Sequence, residues 1–266
     1  KGNEKVIRAR LSDAQFFFEE DSKVPLDARL ELLRDVVFHN LLGTYYEKVM
    51  RFRTLAVEIA SVIAPAYAGQ SAAGRPSFKE RVCRTATLAK ADLSTQMVGE
   101  FPDLQGVMGR EYALLAGEDA RVAKGICEHY LPVSANGNLP ETDEGAIVSI
   151  ADKMDSIAGF FGVNLLPTGT ADPYALRRQA LGIINIILAQ RYPLRLDELI
   201  DMSLVGLSER LKRPPEAVKA DILTFFHARF ENQLISQGRP YDVVAAVLAA
   251  GTTDVVKSIM KIGAME

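Results

Sequence analysis

The chain has 266 residues, of which 48% are hydrophobic and 24% are charged, as is typical of a globular protein with a sizeable core. The formal net charge of −3 and the isoelectric point near 5.8 exclude a uniformly basic nucleic-acid binder, although they leave room for a local basic patch. Cys83 and Cys127 show no paired spacing, so we expect buried, reduced thiols of a cytosolic protein. No window of about 18 apolar residues predicts a transmembrane span.

The N-terminal part of the sequence combines a weak strand pattern with a strong helical one. It begins Lys-Gly-Asn-Glu, with neither an initiating methionine nor a signal-peptide core, so we expect it to lie inside a longer protein. Residues 6–11 show a weak strand pattern. Apolar residues then recur at helical spacing over residues 45–63, which predicts an amphipathic helix.

The stretch 75–90 is the most basic part of the chain. It carries five positive residues and one acidic residue, and the positive ones are Arg75, Lys79, Arg81, Arg84 and Lys90. A charged run of this kind is typical of a solvated helix face, and it also suits a surface that follows a phosphate backbone. The sequence leaves both interpretations open.

The histidine and aspartate spacing resembles that of all-α phosphohydrolases of the HD superfamily. Those enzymes bind divalent metal through a first His, a central His-Asp pair and a late Asp. The corresponding positions here are His39, Ala91-Asp92, His129, Asp152 and Asp155. Because Ala91 replaces the central imidazole and Lys90 adds a neighbouring cation, a metal is disfavoured. The pattern therefore predicts an HD-like bundle without a metal site.

Asp152 and Asp155 lie three residues apart on one face of a predicted helix over residues 145–161. Such a pair can perform acid–base chemistry or bind a cation. More often, carboxylates of this kind cap a helix or form salt bridges, here with Lys153 and its neighbours. His129 is expected to end a helix, where its charge interacts favourably with the helix dipole.

Residues 167–184, PTGTADPYALRRQALGII, form the most informative run. Asp172 is suited to cap a helix whose first position is Pro173. An apolar stripe follows at helical spacing through Leu176, Ala180, Ile183 and Ile187. Adjacent side chains on a helix cannot share a face, so we expect one of Arg177 and Arg178 to anchor the helix and the other to be free for a phosphate.

Helical patterns over residues 215–235, 240–249 and 253–262 complete an all-α prediction. Breaks rich in Gly, Pro, Ser or Thr fall at residues 64–77, 131–141 and 162–172. The third break is the expected boundary between two domains. They are an HD-like domain with its N-terminal lead-in (1–165) and a smaller helical linker or body domain (166–266). No phosphate-binding loop, nucleophile elbow or zinc-type cysteine spacing is present.

Several long runs closely resemble the β chain of bacterial glycyl-tRNA synthetase. They are ARLSDAQFFFEED from Ala9, LGTYYEKV from Leu42, AKADLSTQMVGEFPDLQG from Ala89, EHYLP from Glu128, ADKMD from Ala151, and residues 167–178. The resemblance extends in order from about residue 6 to the C-terminus. The chain therefore resembles a central fragment of that longer family member.

The resemblance implies an α2β2 enzyme that joins glycine to its tRNA at the expense of ATP. In that family the α chain holds the aminoacylation site and uses ATP and Mg, and the β chain mainly binds tRNA. The β chain has domains before the region that this sequence resembles and an anticodon-binding domain after it. The region itself is described as HD-like in that family. The implied partners are therefore a glycine tRNA and the α chain. The implied location is the cytoplasm, with no membrane as a partner. No catalytic residue, metal or cofactor is expected in this fragment.

The same resemblance directs attention to basic residues within or near the shared motifs. A tRNA acceptor arm is an A-form duplex, which proteins read mainly through phosphates and 2′-hydroxyls, and arginine forks suit such contacts. Arg110 follows glycines that let the backbone approach a partner or a neighbouring helix. We predict that the tRNA contacts are among Arg110, Arg177, Arg178, Lys90, Arg75, Lys79, Arg81 and Arg84.

Two other functions stay open at this point. The fragment could be a purely structural bridge between domains or subunits, which internal carboxylate partners for both Arg177 and Arg178 would favour. It could also be a divergent HD metal phosphohydrolase, which a bound metal would favour and the absent His-Asp pair disfavours.

Overall fold

The computed structural model describes residues 2–67, 76–169, 171–251 and 253–266, and this part of the chain is almost entirely helical. The first helices are α1 (Gly2–Asp21), α2 (Leu26–Leu30), α3 (Tyr45–Ile63), α4 (Phe78–Leu88), α5 (Gln96–Glu100), α6 (Val107–Leu115) and α7 (Ala120–Glu128). They are followed by α8 (Asp143–Gly162), α9 (Leu176–Gln190), α10 (Leu196–Gly206), α11 (Pro215–Ser236), α12 (Tyr241–Ala249) and α13 (Val255–Met265). One small antiparallel pair, β1 (Val37–His39) and β2 (Gly43–Thr44), precedes α3. The all-α prediction is confirmed.

Local sequence signals define the start of α3 and α4, two of the helices that supply basic residues to the regions described below. Thr44 and Glu47 form a capping box on α3, in which Thr44 Oγ1 accepts from the Glu47 amide and the Glu47 carboxylate accepts from the Thr44 amide. Ser77 and Glu80 do the same for α4. Each capping box satisfies two amides that have no partner inside the helix, and thereby fixes the residue at which the helix starts.

Helix α8 is the centre of the bundle. It packs against α3, α4, α7, α9, α10 and α11, and its residues are buried from the first turn to Gly162. The main hydrophobic core includes Phe52 of α3, Ile157 of α8, Ile183 of α9 and Phe226 of α11, so residues on both sides of position 166 share it. A second, smaller core lies among α5, α6 and α7. The division of the chain into two domains stays a prediction.

Two local predictions were wrong. Residues 6–11 lie inside helix α1 and form no strand. Helix α9 begins at Leu176, three residues after Pro173, because Ala175 takes a left-handed conformation with φ of 53°. The turn before it places the Tyr174 ring against Phe160, with ring centroids 3.8 Å apart. The capping role of Asp172 is nevertheless confirmed, since its carboxylate accepts from the amides of Leu176 and Arg177.

Candidate functional site

Helix α8 places two carboxylates and a lysine in the interior of the bundle. Asp152, Lys153 and Asp155 occupy its buried middle, where little water reaches a charged side chain. A charged group in such a position needs partners from the neighbouring elements. The surrounding helices supply them, mainly as cations.

Lys48 and Arg51 reach these carboxylates from α3. The Lys48 ammonium lies 2.8 Å from Asp152 Oδ1 and 3.3 Å from Asp155 Oδ2, and it donates to Ser156 Oγ at 2.8 Å. The Arg51 guanidinium binds Asp155 with both branches, at 2.7 Å from Nε and 3.1 Å from Nη2. Burial alone would lower the pKa of Lys48, but the two carboxylates raise it above its ordinary value.

Lys90 approaches Asp152 from the end of α4. Its ammonium lies 2.9 Å from Asp152 Oδ2 and 3.8 Å from the centroid of the Tyr130 ring, so it combines an ion pair with a cation–π contact. Burial lowers the pKa of Lys90, and the single shared carboxylate only partly offsets this. Burial opposes ionisation of Asp152, yet Lys48 and Lys90 together hold its pKa well below the ordinary range.

Lys153 completes the group of three lysines and differs from the other two, because its ammonium hydrogen bonds go to neutral groups. Its ammonium donates to Ser149 Oγ at 2.6 Å and to the carbonyls of Leu131 at 2.9 Å and His129 at 3.3 Å. Burial lowers the pKa of Lys153 to about 7. Asp152 opposes this shift, whereas the charges of Lys90, Lys48 and Arg178 add to it. We call Lys48, Lys90 and Lys153 the lysine cluster.

An open pocket of about 450 Å³ lies above the lysine cluster. Arg178 and Gln179 of α9 line it, as do Asp103 and Gln105. The remaining lining residues are Phe38, Tyr45, Lys48, Lys90, Tyr130, Pro132, Val133, Asp152, Lys153 and Ser156. The pocket therefore has a cationic floor, aromatic side chains and an arginine in its wall.

Two of the eight residues predicted to contact RNA meet at this pocket. Arg178 is exposed, and its side chain forms no hydrogen bond or ion pair within the described ranges. Lys90 contributes to the pocket floor, where its side chain is only 6% exposed. Arg177 turns away and donates to the Gly169 carbonyl at 2.8 Å. The expected division between an anchoring and a free arginine therefore matches the arrangement of Arg177 and Arg178.

The other predicted residues lie apart from the pocket or are already paired. Arg110 forms an ion pair with its neighbour Glu111 at 2.6 Å and is part-exposed. Gly106 and Gly109, which come just before it, lie against Tyr130 and Ile126 of the chain itself. Packing within the chain therefore accounts for both glycines.

Helix α4 carries most of the remaining positive charge. Arg81 binds Glu144 at 2.7 Å, and Arg84 binds both Asp27 and Glu118. Lys79 is exposed. Arg75 lies outside the described residues. The basic run is thus largely neutralised by carboxylates of neighbouring elements.

The histidines and Asp92 take structural positions. His39 Nε2 lies 3.3 Å from the Tyr174 hydroxyl, and His129 Nδ1 lies 2.5 Å from the Ile126 carbonyl. Burial, reinforced by Lys90, lowers the pKa of His129 well below its ordinary value. Asp92 Oδ2 accepts from the amides of Gly106 and Gly109, and burial raises the pKa of Asp92 to about 6.

These arrangements do not fit a divalent metal. Within the described ranges, no group of three or more His, Cys, Asp or Glu side chains could hold an ion. The carboxylates of Asp152 and Asp155 face ammonium or guanidinium groups at ion-pair distance, and a cation in that place would meet strong repulsion.

Sequence reasoning overlooked Lys48, Arg51 and Lys153 as members of the site. A signal for two of them was present. Lys48 lies one helical turn before the buried Phe52, and Lys153 interrupts the apolar run of residues 145–161. A lysine at a core position of a helix indicates a buried partner or ligand, since such residues are rarely buried without one.

None of the described helices is both long and apolar enough to cross a membrane.

A family model described as the glycyl-tRNA synthetase beta subunit matches residues 1–249. A glycine–tRNA ligase beta subunit of Syntrophus aciditrophicus is 68% identical over the whole chain, and one of Geobacter sulfurreducens is 56% identical over 265 residues. In both cases the aligned region is 37% of the relative's own length, so the chain spans a little over a third of these proteins.

Proposed function

The chain belongs to the glycyl-tRNA synthetase beta subunit family, and we propose that it supports tRNA binding and subunit architecture in a glycine–tRNA ligase. The observation that carries this proposal is the family match over residues 1–249 together with 68% identity over all 266 residues. The proposed activity of the complete enzyme is the ATP-dependent attachment of glycine to its tRNA.

The proposed assembly pairs this chain with an α chain in the cytoplasm, as an α2β2 enzyme. The aminoacylation chemistry, with its ATP and Mg, belongs in this proposal to the α chain. The side chains that line the pocket are mainly cations, amides and aromatic rings, together with Asp103, Asp152 and Ser156. The Ser156 hydroxyl accepts from Lys48 and donates to the Asp152 carbonyl, so it is not paired with a general base.

The proposed RNA contact centres on Arg178. This arginine is exposed beside a pocket that contains three further cations, and its guanidinium is not engaged by a carboxylate in the described part of the chain. A guanidinium in this situation is available for a phosphate, which it can bind through two parallel hydrogen bonds. Arg110 is a second, weaker candidate, because its partner is an adjacent, equally exposed glutamate that gives little stability to the pair.

A chain without an active site can still be essential to catalysis. Binding energy gained along the tRNA can orient the acceptor end toward an active site on another chain. Correct placement of reacting groups contributes up to ~7–11 kcal/mol to lowering a barrier. The proposed role of this region is to supply part of that orientation.

The structural-bridge alternative predicted internal carboxylate partners for both Arg177 and Arg178. Arg177 instead binds backbone carbonyls, and Arg178 is exposed, so this specific support for the alternative is missing from the described residues. The phosphohydrolase alternative is disfavoured because the carboxylates it requires are occupied by cations.

Charge reversal of Arg178 in the complete enzyme tests the tRNA proposal. We expect Arg178→Glu to raise the KM for tRNA about tenfold, which corresponds to roughly 1.4 kcal/mol, and to reduce the salt dependence of binding. Arg110→Glu should act in the same direction with a smaller effect.

Lys261→Glu is the matched control, since it reverses an exposed charge on α13, away from the pocket lining. The KM for glycine and the association of the α and β chains should be unchanged in all three variants. An unchanged tRNA KM in both Arg178→Glu and Arg110→Glu would contradict the assignment. Loss of α-chain association would favour bridging instead.

A further inference from the structure

The lysine cluster has more positive charge than its carboxylates balance. Ion pairs join Lys48, Lys90 and Arg51 to two carboxylates, those of Asp152 and Asp155, whereas Lys153 pairs with neither. Including the pocket walls adds Arg178 on the positive side and Asp103 on the negative side. Each count leaves an excess of two positive charges when all groups are ionised, and the excess is one when Asp92, whose charge acts on Lys90, is included.

This excess lies where water screens it poorly. The side chains of Lys48 and Lys90 are 3% and 6% exposed, and Lys153 as a whole residue is 7% exposed. An ammonium group removed from water without a counter-ion is costly, so it tends to lose its proton or gain an anion. All three lysines line the open pocket, so an anion that enters it lies beside them.

The arrangement of donors favours a tetrahedral anion. The donors converge from separate elements, namely α3, the end of α4, α8 and α9. A carboxylate has two oxygens, and Asp152 already supplies such a pair to Lys48 and Lys90. A phosphoryl group has three or more acceptor oxygens and therefore suits several ammonium groups and an arginine fork together.

The other lining residues indicate that the phosphoryl group carries an organic substituent. Phe38, Tyr45 and Tyr130 line the pocket, together with the side-chain amides of Gln105 and Gln179. The Tyr130 hydroxyl is buried and has no hydrogen-bond partner within the described ranges. Aromatic faces and amides are the groups that proteins use to hold a nucleobase.

We propose that the pocket formed by Lys48, Lys90, Lys153 and Arg178 is a phosphate-binding site for a nucleotide unit. The unit has two possible sources, a free nucleotide with a terminal phosphate or a nucleotide within an RNA strand. The proposal concerns a small ligand in one pocket and does not rest on the tRNA role proposed above.

Lys153 gives the site a proton-linked signature. The charged or titratable groups around it are Asp152, Lys48, Lys90, Arg178, His129, Tyr130, Tyr45 and Asp103. With its pKa at about 7, Lys153 is about half protonated at pH 7. A phosphate bound beside Lys153 stabilises its charged form. Binding at pH 7 is therefore accompanied by the uptake of at most about half a proton per protein molecule.

The test is calorimetric titration of the complete enzyme with AMP and with the dinucleotide ApA, at constant ionic strength. The two probes represent a phosphate monoester and a phosphodiester. ApA has no titration of its own near pH 7, so its binding in two buffers of different ionisation heat reports proton uptake by the protein. We expect uptake at pH 7 that disappears at pH 5.5, where Lys153 is already protonated.

Lys153→Met should weaken binding of the preferred probe at least tenfold and abolish the proton uptake. Lys79→Met is the matched control, because it makes the same change at an exposed lysine outside the pocket. If Lys153→Met fails to fold, the pH dependence of proton uptake in the unmodified enzyme still decides the matter.

Competition with tRNA distinguishes the two sources. A probe that tRNA displaces identifies the pocket as a site for an RNA nucleotide, whereas AMP binding that persists beside tRNA identifies a free nucleotide. Absence of AMP and ApA binding at millimolar concentration, or binding unaffected by Lys153→Met, would overturn the proposal. Neither of those results would alter the expected effect of Arg178→Glu on tRNA.

Discussion

The outer face of α4 and the lysine cluster are both rich in positive charge, and they differ in how that charge is balanced. On α4, Arg84 lies between Asp27 and Glu118, and Arg81 is held by Glu144. In the lysine cluster, Lys153 has no hydrogen bond to a carboxylate in the described part of the chain. A count of basic residues therefore says little about where an anion binds. What matters is how many carboxylates the fold places beside each set of basic residues.

Removing the shared carboxylate of the lysine cluster should have the largest effect on stability. Asp152→Asn leaves the buried ammonium groups of Lys48 and Lys90 without their common counter-ion. Breaking a buried ion pair in this way typically costs about 3–5 kcal/mol. Urea denaturation of the variant measures the loss in the free energy of unfolding.

The double variant Asp152→Asn with Lys90→Met is the control, because it also removes one of the stranded charges. It should recover part of the loss, and together with the single variant Lys90→Met it gives the coupling free energy between the two residues. A loss below 1 kcal/mol in Asp152→Asn would show that the cluster is far better solvated than its burial indicates.

Asp92 provides a contrast with Asp152, because it is a buried carboxylate that accepts from backbone amides and has no direct ion pair among the described residues. Burial raises its pKa from an ordinary 3.8 to about 6 in the folded chain. As pH rises from 4 to 6, the unfolded chain gives up this proton first, so the folded chain loses stability. A shift of about two pKa units corresponds to about 3 kcal/mol.

Asp92→Asn keeps an oxygen acceptor for the amides of Gly106 and Gly109 and removes the titration. Relative to this variant, the unmodified chain should lose about 2–3 kcal/mol of unfolding free energy between pH 4 and pH 7. Asp92→Ala, which removes the acceptor, should be destabilised at every pH. A pH-independent difference between the Asp and Asn forms would refute the raised pKa.

The smallest effect is expected on α4. Glu118→Gln removes one of the two carboxylates of Arg84, whose side chain is 36% exposed and keeps Asp27. Part-exposed pairs of this kind contribute about 0–1 kcal/mol, and 1 M salt should remove most of the difference. A loss as large as that of Asp152→Asn would erase the distinction between the two regions.

Much of the helical architecture was accessible from the sequence because its signals are local. Helical spacing over residues 45–63 predicted α3 at its observed bounds, and the capping residues Thr44 and Ser77 mark helix starts that need no tertiary information. The start of α9 was misjudged, because the stacking of Tyr174 on Phe160 is a long-range contact that Pro173 does not reveal.

The candidate site was only partly accessible. Lys90 and Arg178 were identified as basic residues within recognisable motifs, but their convergence on one pocket depends on α4 and α9 both packing against α8. Lys48 was not singled out, and Lys153 was expected to form a salt bridge with Asp152 or Asp155, whereas its ammonium binds Ser149 and backbone carbonyls. The burial of both lysines follows from the enclosure of α8 on all sides.

By itself, the sequence determined the helical class, the positions of several long helices and the family, because spacing and long shared motifs are properties of the chain order. Only the tertiary structure decided which cations are neutralised and which remain in excess, since Arg84 meets Asp27 and Glu118 across long stretches of chain. The same packing holds Lys48, Lys90 and Lys153 together around Asp152. Charge balance in a folded protein depends on distances of a few ångströms between elements, and the order of residues does not contain those distances.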